Sequence, residues 1–191
     1  MAKRDTTTRL DFWDSLRDLF SNPGLFFEKL KSEPGIKKSL LTFAIVSAFF
    51  TALQFIFNAG MMGVLSRMLP WGGIVYPTMA FVSFGISILA TFVYSGLIQV
   101  VMIAFKSGGT YKDSYNVFTY SMIPYQIFNV IPYVGSLSII YSFILMIMGI
   151  SKVHNVSKGK AGLACLLPAI VAIAIVVAII IWVYMWIFRN M

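Results

Sequence analysis

Four stretches of this chain contain no Asp, Glu, Lys or Arg. They are Ser39–Ser66, Met68–Phe105, Ser114–Ser151 and Ala161–Phe188. A helix needs roughly 20 apolar residues to cross about 30 Å of hydrocarbon, so each stretch is long enough to span a bilayer. Of the 191 residues, 59% are apolar and only 12% charged, about half the charged share of a soluble domain. A water-soluble fold of this size cannot bury that much apolar surface, and the bilayer must serve as part of its solvent. The sequence therefore predicts an all-α, polytopic membrane helix bundle.

The turn-forming run Leu69-Pro70-Trp71-Gly72-Gly73 separates a first span, about 39–60, from a second, about 75–105. The second is long for one crossing and implies tilt, or a helix that protrudes beyond the membrane. Ser114–Ser151 carries Ile131-Pro132-Tyr133-Val134-Gly135 near its middle, as a helical hairpin should, which divides it into spans of about 115–132 and 135–151. The last span is about 161–188. Five spans place 13 of the 15 basic residues on one side, leaving only Arg67 and Arg189 on the other. Four spans would divide Lys106 and Lys112 from Lys152, Lys158 and Lys160. The positive-inside rule favours five, with a cytoplasmic N-terminus and an external C-terminus. Residues 39–191 form this domain, behind a cytoplasmic leader, residues 1–38.

Within the leader, Phe12, Trp13, Leu16, Leu19 and Phe20 recur on one helical face. Thr8 is placed to cap that helix. Pro23 suits the first turn of a second short helix over 25–31. The pair has the pattern of interfacial amphipathic helices, or of a leader packed on the cytoplasmic ends of the bundle. The first stretch begins too far along the chain, and is too long, to be a cleaved signal, and reads as an uncleaved anchor.

The lone Cys165 excludes an intrachain disulfide, and the lone His154 excludes a multi-histidine metal motif. No ionisable Asp, Glu, Lys, Arg or His lies in a span core. Proton-coupled pumps, voltage sensors and intramembrane hydrolases normally need such groups, so no catalytic residue, metal or cofactor is expected. The net charge of +8 fits topology and attraction to anionic lipid, and the aromatic residues lie in membrane runs, so nucleic acid is not a partner.

Uncharged polar residues do form stripes. Ser83, Ser87, Thr91, Ser95 and Gln99 recur every four residues in span two, and Tyr115, Thr119, Met122, Gln126, Asn129 and Tyr133 share a face of span three. They are either interhelical contacts or the lining of a polar cavity built from Ser87, Thr91, Ser95, Gln99, Thr119, Gln126 and Asn129. Pro124 and Pro168 should each kink a span. On the cytoplasmic loops, Asp113, Lys152, His154 and Lys158 form a candidate cluster, with Asp113 expected to pair with Lys152, Lys158 or Lys160.

Several elements, in order, resemble the core of Yip1-domain membrane proteins. They are Gly108-Gly109-Thr110-Tyr111-Lys112-Asp113, Tyr120-Ser121-Met122-Ile123-Pro124, Pro132 with Gly135, and residues 149–161 followed by Pro168. Asn22-Pro23 with Phe26-Phe27 is similar to the leader of prokaryotic-type members, which implies a cell-membrane location. The resemblance implies a five-span, non-enzymatic protein that organises membrane or acts as a membrane-embedded adaptor of trafficking type. Its implied partners are membrane lipids, further copies of itself or other membrane proteins. Eukaryotic relatives associate with Rab-type GTPases, but their Asp-Leu-Tyr-Gly-Pro element is absent here, which counts against GTPase binding. The competing expectation is a small transporter, channel or lipid-handling protein using the polar cavity between spans two and three.

Overall fold

The computed structural model describes residues 12–68, 72–131 and 133–189, with no strand among them. The proposed Thr8 cap and the turn residues 69–71 and Pro132 lie outside them. The leader forms α1 (Phe12–Ser21) and α2 (Pro23–Leu30). Asn22 caps α2 by accepting from the Leu25 N–H at 3.3 Å, with Pro23 in the first turn. The bundle consists of α3 (Lys37–Met68), α4 (Gly72–Ala104), α5 (Tyr111–Ser121), α6 (Ile123–Phe128), α7 (Val134–His154) and α8 (Lys158–Arg189).

Four of these helices are long and apolar enough to cross a membrane: α3 over Lys37–Phe57, α4 over Pro77–Ala104, α7 and α8. The sequence pattern predicts five spans, and the difference lies in residues 115–132. There the chain breaks at Met122 into α5, of 11 residues, and α6, of 6. At 1.5 Å per residue neither reaches across 30 Å alone. Pro124 causes the break: it has no N–H, and its ring crowds the carbonyl four residues earlier. The Tyr125 N–H, turned out of the helical ladder, donates to Ser142 Oγ on α7 at 3.1 Å. Pro168 and Pro77, by contrast, sit inside continuous helices.

The broken pair still traverses the bundle. Ser39 at the start of α3 donates to Asn116 on α5, and Gln54, four turns later, donates to the Asn129 carbonyl beyond α6. The α5–α6 run is therefore parallel to α3. Thr91 and Gln99 of α4 meet Tyr115 and Ser114 in the opposite sense. On α7, Ser142 faces Tyr125 and Gly149 faces Val117. On α8, Cys165 meets Tyr94 and Lys160 lies over Phe105, antiparallel to α4. The chain thus makes five alternating passes, the third in two pieces. One end of the bundle gathers the start of α3, the α4–α5 connection, the α7–α8 connection and the leader.

The core lies at that end. Ile98, Met102, Val117, Ile123, Leu145, Ile150, Ala161 and Ala164 are buried there, and Tyr94 stacks on Phe118 with ring centroids 4.8 Å apart. Every side chain from Ile170 to Arg189 on α8 is exposed, as is most of α4 before Ile88. Such apolar surfaces are compatible with the hydrocarbon of a bilayer.

Candidate functional site

The polar residues of the bundle converge on its packed end. Thr110 opens α5, and the Asp113 carboxylate accepts from the Thr110 N–H at 2.8 Å and from its hydroxyl at 2.9 Å, satisfying donors left free at a helix start. Asp113 also pairs with its neighbour Lys112 at 3.4 Å. The expected pair with Lys152, Lys158 or Lys160 is not formed. Lys152 is bound instead to Glu28 of α2 at 2.5 Å, Lys158 is exposed, and Lys112 also donates to the Glu33 carbonyl at 2.8 Å. The leader thus supplies a carboxylate to Lys152 and a backbone carbonyl to Lys112.

His154 is no surface loop residue. It ends α7 and is 1% exposed, with Nδ1 3.1 Å from Ser107 Oγ and Nε2 3.0 Å from Ser114 Oγ. Ser114 reaches Gln99 Oε1 at 2.8 Å, and Gln99 Nε2 donates to the Gly109 carbonyl at 3.2 Å. The fixed end of this chain sets its direction. A carbonyl only accepts, so the Gln99 amide nitrogen donates to it and Oε1 takes the Ser114 hydroxyl proton. Ser114 Oγ then accepts from His154 Nε2–H, and Nδ1 accepts from the Ser107 hydroxyl. One singly protonated imidazole satisfies both serines and ties together α4, the α4–α5 loop, α5 and α7. Gly109 lies so close that a Cβ there would stand 2.3 Å from the ring.

The polar stripes meet only in part. Thr91 bonds Tyr115 Oη at 3.1 Å and Gln99 bonds Ser114, while Ser95 is fully buried with no hydrogen-bond partner for its hydroxyl among the described residues. Thr119 turns back to the Tyr115 carbonyl and Ser87 to the Phe84 carbonyl. Gln126 is half-buried, and Asn129 contributes its backbone carbonyl to Gln54 on α3. Each bonded residue therefore spends its polar atoms on a neighbouring helix or its own backbone, the arrangement expected of interhelical contacts. A cavity of about 420 Å³ instead opens between α3 and α4, lined by Ala48, Ala52, Phe55, Pro77, Phe81 and Phe84 among others, and its lining is almost wholly apolar. Among the described residues, no group of three or more His, Cys, Asp or Glu is placed to hold a metal.

The leader docks where the sequence allowed either packing or an interfacial position. Leu19, Phe26, Phe27 and Leu30 are buried. Phe26 meets Tyr120 edge-to-face at 4.9 Å. Phe27 fills a slot made by Gly149, where a Cβ would lie 2.9 Å from the Phe27 ring and 2.5 Å from Val117. Asn116 donates to the Gly35 carbonyl at 3.2 Å. Trp13, Phe20 and Leu25 stay exposed, so the outer face of the hairpin is still apolar. Neither the His154 hub nor the Phe27 slot follows from the sequence pattern alone. The available signals were the Gly-Gly pair and the glycine of Gly149-Ile150-Ser151-Lys152.

No curated protein and no solved structure matches the chain. The Yip1 domain matches residues 17–186, from within α1 almost to the end of α8. That match takes in the docked leader, the broken third pass and both connections at the packed end, and the chain belongs to the Yip1-domain family of multi-pass membrane proteins.

Proposed function

We propose that this protein acts without catalysis, as a membrane organiser or membrane-embedded adaptor of the trafficking type, working through lipids, copies of itself or other membrane proteins. The observation that carries this reading is the closed polar end: Gln99, Ser107, Ser114, Asn116 and His154 bond one another or the backbone across five segments of chain. Groups so engaged hold a scaffold rigid and leave little polar surface for a solute path. In the same reading the packed end is cytoplasmic, since the basic residues of the connections gather there, and the C-terminus is external.

The test is reconstitution of the full chain into vesicles, with crosslinking and mass analysis in parallel. An adaptor or scaffold gives defined crosslinked oligomers or complexes and no passage of ions or small solutes above that of empty vesicles. Solute flux abolished by Gln99→Leu would instead establish the transporter alternative.

A further inference from the structure

Seven acidic residues serve the whole chain, and Asp113 is the only one beyond Glu33. Their distribution divides the packed end into two unlike sides. On the leader side, Asp18, Glu28, Glu33 and Asp113 bind Lys29, Lys152, Lys38 and Lys112. Lys31 and Lys37 have no carboxylate partner among the described residues but stand beside these pairs in sequence. On the opposite side, where α4 ends and α8 begins, Lys106, Lys158 and Lys160 are exposed and have no ion-pair partner among the described residues. Neither α4 nor α8 contains an acid.

The three lysines lie just beyond the end of α4 and in the first turn of α8. Lys160 Nζ lies 5.9 Å over the ring of Phe105, the residue before Lys106, and Lys158 is two residues from Lys160. Lys106 holds a left-handed backbone with φ 54° at the end of α4, where its own N–H and that of Ser107 close the helix onto Ile103 and Met102. Glycine fits that position without strain. Immediately beyond the lysines the surfaces of both helices become apolar and exposed, with Val100 and Ile103 on α4 and Leu163 and Leu167 on α8. Cations at the end of two lipid-facing helices, with hydrocarbon-compatible surface next to them, match both halves of one molecule.

We infer that Lys106, Lys158 and Lys160 form a binding site for an anionic phospholipid of the surrounding bilayer, with the phosphate on the lysines and the acyl chains along α4 and α8. The site deepens the proposed function, because it rests on the packed end lying at a membrane surface and names the lipid class held there. A lysine near an anionic membrane surface gains roughly fivefold in affinity. The three together should enrich phosphatidylglycerol over phosphatidylcholine by well over tenfold.

The experiment reconstitutes the full chain with equal amounts of the two lipids and counts retained lipid by native mass spectrometry. Wild type should retain phosphatidylglycerol selectively. Lys106→Gln with Lys158→Gln and Lys160→Gln should lower that selectivity at least about tenfold, while Lys29→Gln with Lys38→Gln and Lys152→Gln, which removes equal charge from the leader side, should leave it unchanged. Equal loss in both variants would mean that net charge alone attracts lipid, and no loss in the first would mean that the site does not exist. Either result overturns the proposal. Binding of inorganic phosphate, with no selectivity between the lipids, would also overturn it by showing a free-anion site. Should the triple variant not fold, Lys158→Glu alone, at an exposed position, must still lower selectivity. The flux and crosslinking results are independent of each of these outcomes, so failure of the lipid site is separable from failure of the scaffold reading.

Discussion

At the residue scale, the structure turns on one imidazole. His154 is a neutral-ring hub whose two nitrogens are both occupied by serines, and Gly109 exists to let the α4–α5 loop pass against it. Gly-Gly in a connection suggests backbone freedom, but no described glycine has positive φ; the left-handed positions fall on Lys106, Tyr133 and Asn155. The glycine is needed for space. Gly109→Ala should therefore cost about 1–3 kcal/mol, as overpacking does, seen as a lower apparent Tm in detergent. His154→Ala should cost at least about 2 kcal/mol, because it strands Ser107 and Ser114 and opens a cavity. The exposed Lys158→Ala should stay within about 0.5 kcal/mol. Equal melting of His154→Ala and Lys158→Ala would remove the hub from the account.

At the element scale, the leader is held by packing far more than by charge. The Glu28–Lys152 pair is about half exposed on both sides and contributes about 0–1 kcal/mol. Phe26 and Phe27 are 0% exposed, and truncating either to Ala should cost about 3–5 kcal/mol of docking or stability. Gly149→Val should act on the same slot from the other side, forcing Phe27 and Val117 apart. Limited proteolysis within the leader measures this: cleavage should rise strongly in Phe27→Ala and Gly149→Val and little in Glu28→Gln. Much of this was legible beforehand. The helix over Phe12–Phe20, the break at Asn22-Pro23 and the apolar run through Leu30 all follow from spacing and turn chemistry. The docking partner was not legible, because an amphipathic face looks the same whether it meets lipid or another helix. For the same reason the stripes of α4 and α5 announced a contact but not whether it was dry. Asp113 departs from the expected lysine pair for a different reason: its local cap with Thr110 competes with any distant lysine and is formed by the neighbouring chain at little entropic cost.

At the scale of the whole molecule, charge and hydropathy made the passes legible, and the one they described incompletely is the third. Uncharged length alone does not register that Pro124 divides it, or that α5 is so polar that it must be enclosed by α3, α4 and α7 rather than face lipid. The central claim is that α5 and α6 together make a full pass of the bundle, from which the proposed topology puts α2 and the end of α8 on opposite sides of the membrane. Relieving the break should stiffen this pass without reversing it: Pro124→Ala restores a donor to the ladder and should leave the topology unchanged. The most direct measurement is side-specific labelling in a Cys165→Ala background, with a single cysteine at the exposed Ser32 or Arg189, using a membrane-impermeant maleimide on sealed vesicles of one orientation. The account predicts that one site labels from outside and the other only after the membrane is opened. Labelling of both from the same side would contradict it, and would make α5–α6 a re-entrant element in a four-pass protein.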